Sequence, residues 1–520
     1  MECGDGDDEF AARAIETAPE IDPEKRLKWL LLDGQQRLTT LYRSFHSNFH
    51  WGKGAASYTF VIDVKAALER GELLETDFAF KTRDAVPGFA ALAEQGEVTL
   101  EILYQAPVFE NWKASYVTHH LRPKDLDGGD LVSQLGEIMG GVAAIKDYKF
   151  PVLKIDRDTP LDVVVDIFEG MNRRGQKLNQ FDLMVARLYR PLANGERYNL
   201  RDRWEDALEG SPRLKDLGVA EDDGMLPLQL IAKQVSRLDS PANRVKGLTN
   251  KDVLELPAVQ VIGDGTAQIA GLSLPRAVDA LESASDFLHR VCGVRSKLLP
   301  QQSMLLPIAD QYLRPENRRL TEDQLKRWFF CTGLSAHYHG SVNSYANKHC
   351  DDLTNWADDH TAVPSVVTSV TKAFVTALDL CEANSREAGI RGKSIMALLV
   401  ATSALDWNTA ATAVKDLEES VEIHHMVPAR RLKTILPFGI PTNPIAGLTP
   451  ITERSNRRIG DQDPGTVVSD LGRAATQIMN SHQIDKNMLV AGNQDAAKFD
   501  KFLKDRETRL KKLIIQSLNL

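Results

Sequence analysis

A chain of 520 residues, 43% hydrophobic and 26% charged, holds two to four ordinary globular domains with ample core. Its formal net charge of −9 and pI of about 5.8 argue against a protein that coats nucleic acid nonspecifically, although a local basic site stays open. Cys3, Cys292, Cys331, Cys350 and Cys381 are scattered, odd in number and without CxxC spacing; they read as reduced thiols in a cytoplasmic protein rather than a disulfide frame.

Residues 1 to about 26 are acidic and weakly patterned, and the start, MECGDGDDEF, has no signal-peptide character. Leu27 to Leu32 reads as a buried strand running into Asp33-Gly34-Gln35-Gln36-Arg37, after which Leu38, Leu41 and Phe45 mark a helix. A strand, a glycine turn and a helix start form a general phosphate cradle, because backbone N–H groups and the positive end of the helix dipole face the anion. Arg37 adds a bidentate guanidinium. A solvated turn accounts for the same residues equally well. Phe60–Asp63 reads as a strand, Lys65–Arg70 as a short helix, and residues 115–131 as a loop whose His119 and His120 are surface groups. Tyr148 to Ile155 reads as a further strand, followed by a helix and the block FEGMNRRGQKLNQFDLMVARL. In that block Asn172 can read a base or ribose edge and Gly175 permits a turn with positive φ. Asp182 either caps the next helix or holds a metal.

From about 196 to 385 the pattern is helical. Leu281, Leu288 and Cys292 recur at helical spacing with Val278 and Val291 nearby, and Thr321-Glu322-Asp323-Gln324 is a capping box heading Leu325–Leu334. Breaks at 240–247 and 256–275 separate such helices. His289, His337 and His339 read as packed or helix-surface histidines. The longest apolar stretch, Ile395 to Leu405, contains Thr402 and Ser403; it is too short and mixed to span a bilayer and reads as a core helix. Next comes EIHHMVPARRLK, a spacer, and GLTPITERSNRRIG. A His pair closes one short apolar run, a second apolar strand follows, and Asn456 lies in a basic segment. Residues 421–460 carry Arg430, Arg431, Lys433, Arg454, Arg457 and Arg458 against only Glu422 and Glu453. A structural His pair or a zinc cluster is the alternative, but zinc sites usually want nearby cysteines and none follows Cys381. Lys498 to Gln516 reads as an amphipathic helix with Phe499, Phe502, Leu510, Leu513 and Ile514 inward. Lys501, Lys504, Arg506, Arg509, Lys511 and Lys512 interleave with Asp500, Asp505 and Glu507 as a solvated face.

DGQQRLTTL resembles the signature of the ParB/sulfiredoxin-like domain at the front of the GmrSD-type, modification-dependent (type IV) restriction enzymes. Phe168, Asn172, Arg174, Gly175, Leu178 and Asp182 are similar, in order, to a second block of that family. The resemblance implies a nucleotide triphosphate, and NTPase activity, at Asp33, Gly34, Gln35, Gln36, Arg37, Asn172, Arg174 and Gly175. Family members carry a further segment ahead of DGQQR that helps build the pocket. The 32 residues before Asp33 lack its pattern, so the first strand and helix are expected to be absent. The stretch Glu422 to Gly460 resembles the ββα-metal finger of the HNH nucleases. That likeness implies His425 as the base that activates water, and His424 and Asn456 as ligands of a divalent metal, Mg²⁺ or Mn²⁺. It also implies the six basic residues as DNA-phosphate contacts. The family's middle Asn, which holds the loop that aims the histidine, falls on Gly447 here, with Asn443 four residues earlier as its substitute.

The expected architecture is α+β and mostly helical: a ParB/sulfiredoxin-like sensor over 1–195, a helical connecting domain over 196–385, and an HNH domain over 386–520. The expected function is NTP-regulated, metal-dependent cleavage of modified phage or foreign DNA in the cytoplasm, with no membrane partner and room for a homodimer. The alternatives are a nucleotide-binding regulator with a degenerate nuclease domain, and an HNH nuclease indifferent to modification.

Overall fold

The computed structural model describes residues 35–46, 49–50, 57–120, 179–189, 198–219, 224–238, 244–256, 273–381, 386–408, 410–436 and 443–520, with isolated residues between them. The chain divides into two compact units, Met1–Pro160 and Leu161–Leu520. Both are α+β in the sense expected, with helices dominating and strands few.

The first unit is built on β2 (Ser57–Asp63). One of its edges pairs antiparallel with β3 (Phe78–Thr82); its other edge takes β1 (Phe49–His50) near the start and β4 (Glu97–Thr99) at the end. Asp63 stops the strand because its carboxylate accepts the Ala66 N–H at 2.9 Å and so caps the helix Val64–Arg70. Ile62, Val64, Leu68, Val98, Trp112 and Tyr116 form the core, and the buried Trp112 indole N–H is satisfied by the Glu97 carbonyl at 2.9 Å. Trp112 and Tyr116, four apart, carry the helix Ala106–His120 onward, so residues 115–120 are helical and not the loop expected. His120 packs on Tyr116 and its ring lies 3.0 Å from the Ala93 carbonyl.

The first helix begins at Gln35 rather than Leu38, which puts Gln35, Gln36 and the exposed Arg37 in its opening turn. Asp33, Gly34, Asn172, Arg174 and Gly175 lie outside the described residues, as does the strand expected over 27–32 apart from Leu31. Across 148–155, Lys149, Phe150, Val152, Lys154 and Ile155 belong to no strand. Phe150 and Val152 are exposed there.

In the second unit the helix Leu274–Cys292 packs against Met225–Ser236, Leu305–Tyr312 and Arg386–Ala401, and Glu322–Leu334 lies on Arg386–Ala401. Ile395 to Val400 are buried, as expected of a core helix. No helix among the described residues is long and apolar enough to cross a membrane. Asp182 caps the helix Gln180–Leu188 in a reciprocal box with Asn179 and pairs with Arg201, which spends its carboxylate on structure. His289 faces the Arg213 guanidinium at 3.0 Å, and burial pushes it down to about 4; His337 stacks on His349. Both are packed, as expected.

The capping box at Thr321 is formed: its hydroxyl accepts the Gln324 N–H at 3.3 Å, and the Gln324 side chain accepts the Thr321 N–H at 2.9 Å. Thr321→Ala therefore lowers unfolding free energy by about 1 kcal/mol in chemical denaturation. An unchanged midpoint would show that solvent replaces the cap at no cost.

Candidate active site

The residues that could carry chemistry meet on a strand–strand–helix unit. β5 (Val421–His425) pairs antiparallel with β6 (Leu448–Thr452), setting His424 opposite Thr449 and His425 opposite Leu448. Thr452 ends β6 and caps the helix Glu453–Ile459, its hydroxyl accepting the Ser455 N–H at 3.2 Å. Asn456 consequently stands one turn into that helix. Its side-chain oxygen lies 2.8 Å from Nδ1 of His424, across 32 residues of sequence.

Burial pushes His424 below the ordinary histidine range; the Asn456 contact pulls it back and His425 pushes it further down. Burial alone lowers His425. Both rings are thus held neutral at neutral pH, the form that accepts a proton or binds a metal. The donor set suits a divalent ion, since imidazole nitrogen and amide oxygen are both good ligands. The separation suits it too: ligands about 2.1 Å from a small ion and at right angles lie ~3 Å apart.

Four residues that the sequence did not mark hold this arrangement. Asp406, buried just beyond the helix Arg386–Ala401, accepts the Thr452 N–H at 2.8 Å, the Thr452 hydroxyl at 3.1 Å, the Ser455 hydroxyl at 2.5 Å and the Asn408 amide at 2.6 Å. It fixes the corner between β6 and the Asn456 helix. Trp407 sets its ring edge-on to His424 at 5.5 Å and to His482 at 5.9 Å. His482, fully buried, donates from Nε2 to the Leu405 carbonyl at 2.7 Å, which leaves Nδ1 to accept the Thr449 hydroxyl at 2.7 Å; burial pushes it down to about 4. Arg506, on the helix Ala496–Ser517, donates to the carbonyls of Ala446 at 2.8 Å and Leu448 at 2.5 Å. Burial pulls it down to about 9.

Arg506 corrects the solvated-face expectation. Phe499, Leu503, Arg506, Leu510 and Ile514 share one buried stripe, so helical phase, had it been given priority over charge, places Arg506 inside. Gly447 is buried between the two carbonyls Arg506 holds, and its own carbonyl accepts the Met426 N–H at 3.2 Å. Asn443 is partly buried at the start of this segment.

The six basic residues divide. All six are exposed, with Arg457 pairing to Glu453 and Arg454 lying 4.0 Å from Glu419. Such exposed pairs cost little to break. Arg431 instead donates to the carbonyls of Asn493 at 2.9 Å and Gln494 at 3.2 Å, and Arg458 donates to the Trp407 carbonyl. Asp379, Cys381 and Glu507 also converge, but Glu507 accepts the Leu380 N–H at 2.9 Å and pairs with Lys511 at 3.0 Å. Asp379 accepts the Cys381 N–H at 2.9 Å, and burial with Glu507 beside it pushes the thiol up to about 11. That cluster ties a turn to the last helix.

Comparison with known proteins identifies the front of the chain. Residues 14–189 match the family described as the GmrSD restriction endonuclease, N-terminal domain. The match covers about a third of the chain and shows what its front is similar to. A similar protein, the uncharacterized protein MJ0686 of Methanocaldococcus jannaschii, is 21% identical over 475 residues, covering 89% of this chain and 77% of that protein.

Removing Asp406 would strand the buried Thr452 N–H and the Thr452 and Ser455 hydroxyls. Asp406→Ala is therefore expected to cost about 3 kcal/mol or more, read from denaturation of the second unit. A loss under about 1 kcal/mol would mean that the corner is held by the β5–β6 ladder alone.

Proposed function

We propose that this chain is an NTP-regulated, metal-dependent endonuclease that cuts modified phage or foreign DNA, with an HNH-type centre at residues 421–460. One observation carries the reading: the His424–Asn456 contact at 2.8 Å, formed on a β-hairpin-plus-helix with His425 beside it. His425 takes a proton from the attacking water. Arg430, Lys433, Arg454 and Arg457 grip phosphates on either side of the scissile bond. His424 and Asn456 would hold Mg²⁺ or Mn²⁺, which when bound supplies Lewis-acid stabilisation of charge on the phosphate and leaving oxygen. In the front domain, Asp33 to Arg37 with Asn172, Arg174 and Gly175 would cradle the nucleotide and gate cleavage. The likeness of residues 14–189 to the N-terminal domain of a restriction endonuclease supports a DNA substrate.

Loss of the base should be severe. His425→Ala is expected to slow metal-dependent plasmid nicking by about 10²–10⁴-fold with fold and DNA binding retained. His424→Ala weakens metal binding, and excess Mn²⁺ partly restores it. Nicking by His425→Ala at the wild-type rate would sink the assignment.

The division among the basic residues gives a second test. Arg457→Ala should flatten the dependence of log affinity on log salt by about one unit, alike for every duplex. Arg431→Ala should flatten it too, but by less, because its guanidinium already donates to the carbonyls of Asn493 and Gln494. A wild-type slope in Arg457→Ala would place Arg457 away from DNA.

A further inference from the structure

The resemblance to HNH fingers leaves one task unassigned. Gly447 stands where a loop-holding Asn is expected, and glycine has no side chain to hold anything. Arg506 is fully buried, and its hydrogen bonds go to carbonyls: Ala446 at 2.8 Å, Leu448 at 2.5 Å and His482 at 3.4 Å. Among the described residues the remaining terminal nitrogen, Nη2, has no hydrogen-bond partner and no carboxylate pairs with the guanidinium. A cation buried in this way is costly, and an apolar side chain of similar volume usually fills such a place at less cost. What the guanidinium gains is geometry: Nη1 carries two N–H groups and bridges the Ala446 and Leu448 carbonyls, while Nε turns to the His482 carbonyl. The two bridged carbonyls flank Gly447. The Gly447 carbonyl in turn accepts the N–H of Met426, the residue that follows His425, and Leu448 is the ladder partner of His425.

We propose that Arg506 is the positioning residue for His425, performing from the last helix the loop-fixing task that Gly447 cannot. The catalytic consequence rests on the nuclease reading above; the loop-fixing role does not. Asn443 is the competing candidate, but Arg506 holds both carbonyls that flank Gly447.

Two variants separate positioning from mere stability. Arg506→Met fills the space without the hydrogen bonds; Arg506→Lys keeps the charge but loses the Nε donor and the planar group that aims Nη1. Melting should rank Arg506→Met at or above Arg506→Lys, since a buried ammonium is poorly tolerated. Nicking should rank the other way: wild type, then Arg506→Lys, then Arg506→Met. For Arg506→Met, kcat should fall about 10- to 100-fold with KM for DNA unchanged. Amide exchange of the peptide containing Met426 should rise at least about tenfold while that of the Thr452 region stays slow. Activity that simply follows melting temperature, or exchange at Met426 that does not change, overturns the proposal. A wild-type chain that cuts nothing with either metal overturns the nuclease reading instead, and the exchange measurement still decides the role of Arg506. Should Arg506→Met fail to fold, Arg506→Lys carries both comparisons.

Discussion

Everything in the candidate centre depends on one contact, His424 to Asn456, between residues 32 apart. A hydrogen bond this distant in sequence contributes little net stability of its own. It forms because the ladder between β5 and β6 admits one register. A slip of β5 by one residue would turn His424 to the opposite face of the hairpin, away from Asn456. The hairpin thus converts the ordinary preference for burying valine and isoleucine into a placement accurate enough for chemistry. Asp406 then extends that accuracy around the corner into the Asn456 helix.

The elements whose apolar pattern is local were legible. The strand through Phe60–Asp63, the Thr321 capping box, the core helix around Ile395 and the last amphipathic helix all sit where their spacing puts them. So did the His pair at a strand end and Asn456 in the following helix. What stayed hidden was tertiary. Asp406, Trp407, His482 and Arg506 serve the finger from outside its sequence, and each residue type is unremarkable in a one-dimensional reading. Arg506 was misjudged because charge was read before phase. Residues 115–120 were misjudged because a polar ending masked a helix that Trp112 and Tyr116 had already committed. At 148–155 the five described residues form no strand, because an apolar run does not by itself supply a pairing edge.

The polar groups buried around the finger share a logic. Asp406 collects four donors, His482 bridges a hydroxyl and a carbonyl, and Arg506 spans two carbonyls. Each costs desolvation and returns direction rather than bulk adhesion. They come from the chain on both sides of residues 421–460, so the finger is a part of the second unit's fold and not a separable bead.

That arrangement sets an order in time. During synthesis the histidine pair, β6 and Asn456 leave the ribosome before His482, and Arg506 follows Ala446 by 60 residues. A nascent or broken chain ending short of the helix Ala496–Ser517 therefore carries His424, His425 and Asn456 but not the Arg506 that holds their loop. The order of the centre arrives with the helix Ala496–Ser517, and copies that lack it hold the same side chains without their aim.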